Sequence, residues 1–344
     1  MFAFTLATLT PAALILAGAL WGGVWPWAAL LVIAIVVALG DELTPRTRLL
    51  SGRDVTEGTG LCIALAALHF LLLALTIGAI AGRLGAPLGT GQKLALFGAA
   101  GLFFGQVSNS NAHELIHRPE RGLRALGGCV YISLLFGHHR SAHLLVHHVR
   151  VATPDDPASA RKGESFYRYY PRAWIGGFRQ GARAETARLK RADLPGWRHP
   201  YLLYLAGAAA LLGISLALAG PLGLIAHLGL AGFAQTQLLM SDYVQHYGLT
   251  RATAEDGRPE PVTARHSWNS PHRVSSALML NAPRHSDHHI RPGRHYPGLG
   301  LEADMPMLPR SLPVMSCVAL YPRLWRRAMD PRVDAYRARP ANPV

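Results

Sequence analysis

The chain has 344 residues, of which 50% are hydrophobic and only 16% charged, well under the roughly 25% charged share of soluble domains. Its net charge of +14, from 34 Lys+Arg against 20 Asp+Glu, falls in basic stretches that alternate with apolar runs. That pattern points to the cytoplasmic loops of a polytopic membrane protein and away from nucleic acid. The three cysteines, Cys62, Cys129 and Cys317, form no CxxC pair, which excludes a disulfide framework and an iron–sulfur or rubredoxin-like site.

A membrane span needs about 20 mostly apolar residues. Such runs are predicted near Phe4–Leu20, Val24–Leu39, Leu61–Ala81, Ala95–Val107, Leu202–Ala219 and Leu222–Leu239. Trp21-Gly22-Gly23 joins the first two as a tight hairpin, and Gly220-Pro221 turns between the last two. The opening run is not read as a signal peptide, because it lacks a basic leader and Pro11 interrupts it.

Arg46, Arg48 and Arg53 follow the second span, and the regions 108–200 and 241–344 are rich in arginine. Placing these regions in the cytoplasm puts both termini inside. Arg83 and Lys93 then fall outside, a mild exception. The fold class is therefore all-α: one integral-membrane domain over residues 1–344, with six transmembrane helices and a cytoplasmic helical cap. The segment 155–194 suits an interfacial helix or a solvated basic face equally well.

The 17 histidines carry the chemistry. His113 and His117 stand four apart, as do His143 and His147, with His148 following; His246 is single; His285, His288 and His289 form a third set. Residues three or four apart share a helix face, so each pair or set is expected to point at one metal. Nine imidazoles exceed the four to six ligands of one transition ion, so two metals are the economical reading. Imidazole suits iron, zinc, copper and nickel, which leaves the metal open. His113-Glu114-Leu115-Ile116-His117 also matches the zinc-protease HExxH pattern, but that reading leaves six histidines unused. His69 and His227 lie inside spans and read as satisfied core residues, and His199, His272 and His295 as surface or loop residues.

Several of these stretches resemble the alkane 1-monooxygenases, membrane hydroxylases of the fatty acid desaturase/hydroxylase superfamily. The resemblance rests on His113–Arg118, on His147–Pro154 continuing through Asp156-Pro157-Ala158-Ser159 to Gly163-Glu164, and on Tyr243–Leu249. His266–Ser270, Arg284–His289, Leu308-Pro309 and Met329–Val333 complete it. It implies two non-haem iron ions held by His113, His117, His143, His147, His148, His246, His285, His288 and His289, which are thereby also the catalytic residues.

The implied activity is O2-dependent hydroxylation of the terminal methyl group of n-alkanes to primary alcohols. Electrons would come from rubredoxin and its NADH-dependent reductase. The implied setting is the bacterial inner membrane, with the site on the cytoplasmic side and a hydrophobic small molecule as substrate. Sister activities are hydroxylation of aromatic methyl groups such as those of xylene, and desaturation or hydroxylation of lipids. A metal transporter fits poorly, because its ligands would sit at the bilayer midplane. The family usually has Glu where this chain has Ala142 and Gln245, and Gln where Pro283 stands.

Overall fold

The computed structural model describes residues 1–254 and 257–338. Among them the chain is helical, with isolated β-bridges and no strand. α1 (Phe2–Trp21) turns at Gly22 and Gly23, both at positive φ (63° and 59°), into α2 (Trp25–Leu43). Glycine adopts that backbone without the penalty a Cβ brings, so the hairpin read from Trp21-Gly22-Gly23 forms. α3 is Thr59–Ile80. α4 runs as Thr90–Phe103, a π-turn Phe104–Ser108, and Asn109–Ile116.

The cap begins with α5 (Arg121–Ser133) and α6, which runs as His138–Ala142, a π-turn His143–His147, and His148–Arg150. α7 (Phe166–Arg191) follows the loop that the interfacial reading had included. α8 (Pro200–Gln245) is 46 residues long and holds both of the last apolar runs. It bends at Gly220, whose φ of 68° and ψ of −169° belong to a region open essentially to glycine alone. α9 (Arg273–Leu278), α10 (His285–Ile290), α11 (Leu312–Ala319) and α12 (Pro322–Arg337) complete the described chain.

Four helices, α1, α2, α3 and α8, are long and apolar enough to cross a membrane. They turn large apolar side chains outward: Leu6, Leu31, Ile35, Leu203, Leu218 and Ile225 are all more than half exposed, save Ile35 at 50%. A belt of that kind is unfavourable in water and suits lipid. Inward, α4 packs on α8 through small residues. A Cβ on Gly101 would lie 2.3 Å from Phe233, and one on Gly105 would lie 2.0 Å from Gln237.

The apolar helices deliver their ends to one cap. The C-terminal ends of α4 and α8 meet α6 and α10 there, and each of those four segments carries histidines from the sequence analysis.

Candidate metal centre

The nine histidines converge in two groups. The first holds His113, His117, His143, His148 and His288, and the second holds His147, His246, His285 and His289. Within each group one ring nitrogen per residue lies within 4.8 Å of all the others. In the first, Nε2 of His143 is 3.0 Å from that of His117 and 2.9 Å from that of His148, which is 3.2 Å from Nε2 of His288. In the second, Nε2 of His285 is 3.0 Å from that of His246 and 3.1 Å from that of His289. The groups are adjacent: the rings of His148 and His289 are 4.6 Å apart.

This partition corrects the reading from spacing. His143 and His147, expected to share one metal, belong to different groups, and so do His288 and its neighbours in α10. The cause in α6 is the π-turn His143–His147. Its i→i+5 hydrogen bonding brings residues five apart onto one face, so His143 meets His148 and His147 turns away. In α10 the i, i+4 pair His285 and His289 faces the second group, while His288 projects to the first. His113 and His117, in an ordinary α-turn at the end of α4, do stay together.

The donor set fits metal ions. Burial, followed by the neighbouring imidazoles, holds His113, His143, His148, His285, His288 and His289 well below their ordinary pKa. The same causes lower His117 to about 4 and His246 to about 3. Neutral imidazoles present lone pairs, the form in which histidine binds metal. Nε2 of His113 and of His147 is buried with no hydrogen-bond partner, a costly arrangement unless something else satisfies it. Neighbouring ligands at right angles around an ion, each bonded at about 2.1 Å, would lie about 3 Å apart, which is the spacing found here.

A fatty acid desaturase family model matches residues 93–318, a stretch that contains all nine histidines. The chain belongs to the fatty acid desaturase family. Among curated relatives it is 39% identical over 70% of its length to alkane 1-monooxygenase 2 of Pseudomonas aeruginosa, of which the match covers 64%. It is 36% identical to an alkane 1-monooxygenase of Pseudomonas putida over 70% of this chain and 60% of that one. The chain thus spans less than two thirds of the length of these relatives. A third relative, the xylene/toluene monooxygenase hydroxylase component XylM of Pseudomonas putida, is 27% identical over 90% of this chain and 83% of that protein.

In this desaturase-family chain the contact that orients His147 comes from a residue to which sequence reasoning gave no such role. Asp156 Oδ2 accepts a hydrogen bond from Nδ1 of His147 at 2.8 Å and another from Ser159 Oγ at 2.7 Å, while Oδ1 accepts the Ala158 amide at 3.0 Å. Burial pushes His147 down, but the charge and hydrogen bond of Asp156, with the charge of Asp242, raise it above its ordinary pKa. The signal lay in the stretch from His147 to Glu164, which held a carboxylate nine residues after a boxed histidine.

Three other carboxylates near the histidines are engaged differently. Asp287 accepts two 2.7 Å bonds from Arg294 and one from the Gly300 amide. Glu114 pairs with Arg118 at 2.9 Å and accepts the Tyr296 amide. Asp242 is buried and acts on His147 through its charge.

Among the remaining histidines, His69 bridges Ser108 and Ser133, and His227 bridges Ser215 and the Ser133 carbonyl, as satisfied core residues. His272 lies in a loop, as one of the two readings had it, but is buried at 2% exposed and bonds Ser270. His138 and His139, overlooked in the sequence, are buried beside the site: His138 packs on Trp174, and His139 stacks on Phe136.

A cavity of about 450 Å³ ends at His113, His143 and His285. Its other end reaches the exposed Ala34, Cys317 and Leu320. Three π-turns border it: Val32–Val36 within α2 through Ile33 and Ala34, Phe104–Ser108 through Gly105 and Gln106, and His143–His147 through His143. Such turns leave the α-helical hydrogen-bond pattern and recur at functional sites. Of the family departures, Gln245 lines this cavity, and Ala142 borders a second void of about 30 Å³ beside His147 and Asp156.

Proposed function

We propose that this protein is a membrane non-haem di-iron monooxygenase that hydroxylates the terminal methyl group of n-alkanes to primary alcohols. The carrying observation is that an apolar cavity, bordered by the exposed Ala34 of the apolar helix α2, reaches two groups of converging, largely buried imidazoles. The nine histidines are the proposed iron ligands and the catalytic residues. Two irons so held would supply the activation of O2 and the oxidation of an unactivated C–H bond. In the overall balance one oxygen atom goes to the alcohol and the other to water, with two electrons and two protons consumed.

The chain's own residues bind, orient and exclude. Asp156 fixes the Nδ1–H tautomer of His147, which turns the Nε2 lone pair inward. The apolar lining draws a hydrocarbon from lipid, where it is already concentrated, and keeps bulk water from the reacting carbon.

Six spans are proposed, with α4 and the two arms of α8 completing the set. The histidine cap and both termini then lie on the cytoplasmic side of the bacterial inner membrane. Rubredoxin, itself reduced by an NADH-dependent reductase, is the proposed electron donor. The exposed Val149 and Ile290, which directly follow His148 and His289, are flanked by Arg150 and Arg291. That combination favours an acidic carrier.

A second reading, hydroxylation of aromatic methyl groups, is favoured by the match to XylM along 90% of the chain. The deciding experiment is product analysis on iron-loaded membranes supplied with rubredoxin, its reductase and NADH. The substrates are n-alkanes, p-xylene and a fatty acid, with His246→Ala as control. Primary alcohols from alkanes, lost in the control, carry the first reading. Benzylic alcohol alone carries the second, and absence of both products despite bound iron sinks the two together.

A further inference from the structure

The connection between α2 and α3, residues 44–58, forms no helix and runs as a strap across the cap. Backbone hydrogen bonds hold it there. The Thr47 amide donates to the Pro271 carbonyl at 2.7 Å, Leu50 and Leu301 exchange two bonds of 2.8 Å, and the Arg53 amide donates to the Gly298 carbonyl at 2.9 Å. Two glycines permit this approach. A Cβ on Gly300 would overlap the Gly52 backbone, and one on Gly52 would overlap the ends of Arg294 and Asp287.

Beneath Gly52, Nη1 of Arg294 donates to both oxygens of Asp287 at 2.7 Å, and its Nε reaches Asp54 of the strap at 3.1 Å. The Gly300 amide adds a 2.8 Å bond to Asp287 Oδ2. Asp54 is largely exposed, so its ion pair contributes little in water. The backbone bonds and the close packing hold the strap shut.

Asp287 stands among the histidines of α10, two residues after His285, directly before His288 and two before His289. α10 supplies His285 and His289 to the second group, half of its four members, and His288 to the first, one of five. A helix of six residues has little stability of its own, so contacts from outside must set its rotation. Asp287, 1% exposed, is where those contacts grip it.

We infer that the 44–58 strap is a latch on the metal centre. Closed over Arg294 and Asp287, it fixes the rotation of α10 and retains the ions, that of the second group most of all. Gly52 and Gly300 are positioning residues, because any side chain there would hold the strap off the cap. This rests on the reading of the nine histidines as ligands of two metal ions.

Release of ferrous iron to a chromogenic chelator, followed on iron-loaded protein in detergent, tests the latch. Gly300→Ala should release one ion about tenfold faster, the lower end of what a lost orienting contact does to metal binding, and leave the other near its wild-type rate. Gly52→Ala should give the same split by displacing Arg294 from Asp287. Equal acceleration of both ions with a lowered unfolding temperature would mark a merely structural role and overturn the inference, as would unchanged rates in both variants.

Should neither variant fold, Leu50→Cys with Leu301→Cys keeps the latch testable. These residues form an antiparallel bridge, whose Cα separation of about 5.5 Å suits a disulfide. Cys129→Ser and Cys317→Ser remove the exposed thiols, and Cys62 is buried. The oxidised protein should hold one ion longer than the same protein after reduction, and equal rates overturn the inference. A wild type that binds fewer than two ions would instead fail the two-metal reading, and the latch with it, before any substitution is made.

Discussion

Asp156 and His147 form a 2.8 Å hydrogen bond between two side chains that are 1% and 3% exposed. They stand nine positions apart in the chain, and the loop between is folded for this contact, with the Ala158 amide and Ser159 hydroxyl completing the carboxylate's partners. Asp156→Ala should therefore weaken metal binding in the second group by roughly 10–100-fold, as loss of an orienting partner does elsewhere. Titrating iron into the metal-free protein measures it, and unchanged affinity at both sites would remove Asp156 from the design.

His143→Ala and His147→Ala should behave as lesions of different centres although both lie on one helix. Each is expected to lower metal content from about two ions per chain towards one. The double variant should lose nearly all. Elemental analysis of purified protein checks this, and the opposite pattern, with His143→Ala and His148→Ala affecting different ions, would contradict the π-turn assignment.

Arg172 holds the Glu164 carboxylate through Nε (2.9 Å) and a second nitrogen (2.7 Å), while also donating to the carbonyls of Pro157 and Ser159. Burial raises the Glu164 pKa, but the Arg172 and Arg161 contacts outweigh it and leave the carboxyl below its usual value of 4.5. A depressed folded-state pKa gives stability that is present above the unfolded value and lost as pH falls through the folded one. Glu164→Gln should thus unfold more easily than wild type at pH 7, by about 1 kcal/mol once solvent screening of this part-exposed pair is allowed for. The difference should shrink as the pH is lowered below 4.5. Thermal unfolding in detergent across that range measures both.

Ala34 stands at the exposed end of the cavity. Ala34→Phe should obstruct the outer half and leave the histidines untouched. Turnover of long alkanes is expected to drop more than that of short ones, by roughly tenfold, the scale of a filled methylene pocket. A uniform loss across chain lengths would show that the aperture lies elsewhere.

The identity of the nine histidines was legible because box residues recur near the ends of apolar runs, and the glycine turns at Gly22 and Gly220 were legible because only one residue type takes those dihedrals without strain. The grouping was not legible. A spacing of four implies a shared face only on an α-helix, and nothing in His143–His147 announces the π-turn. Asp156 was hidden for a related reason: a loop residue acquires its partner only through tertiary folding. His272 shows the limit from the other side, since a loop position does not by itself mean exposure.

Two pairs of consecutive residues, His147 with His148 and His288 with His289, each send one ring to either group. Successive Cα atoms are held about 3.8 Å apart by the peptide bond. The interval between the centres is therefore gauged by two covalent spacers on different helices, which side-chain repacking can tilt but cannot stretch. Among the described residues no carboxylate belongs to either group, so that duty falls on the backbone itself, and an insertion between either pair would damage both centres at once.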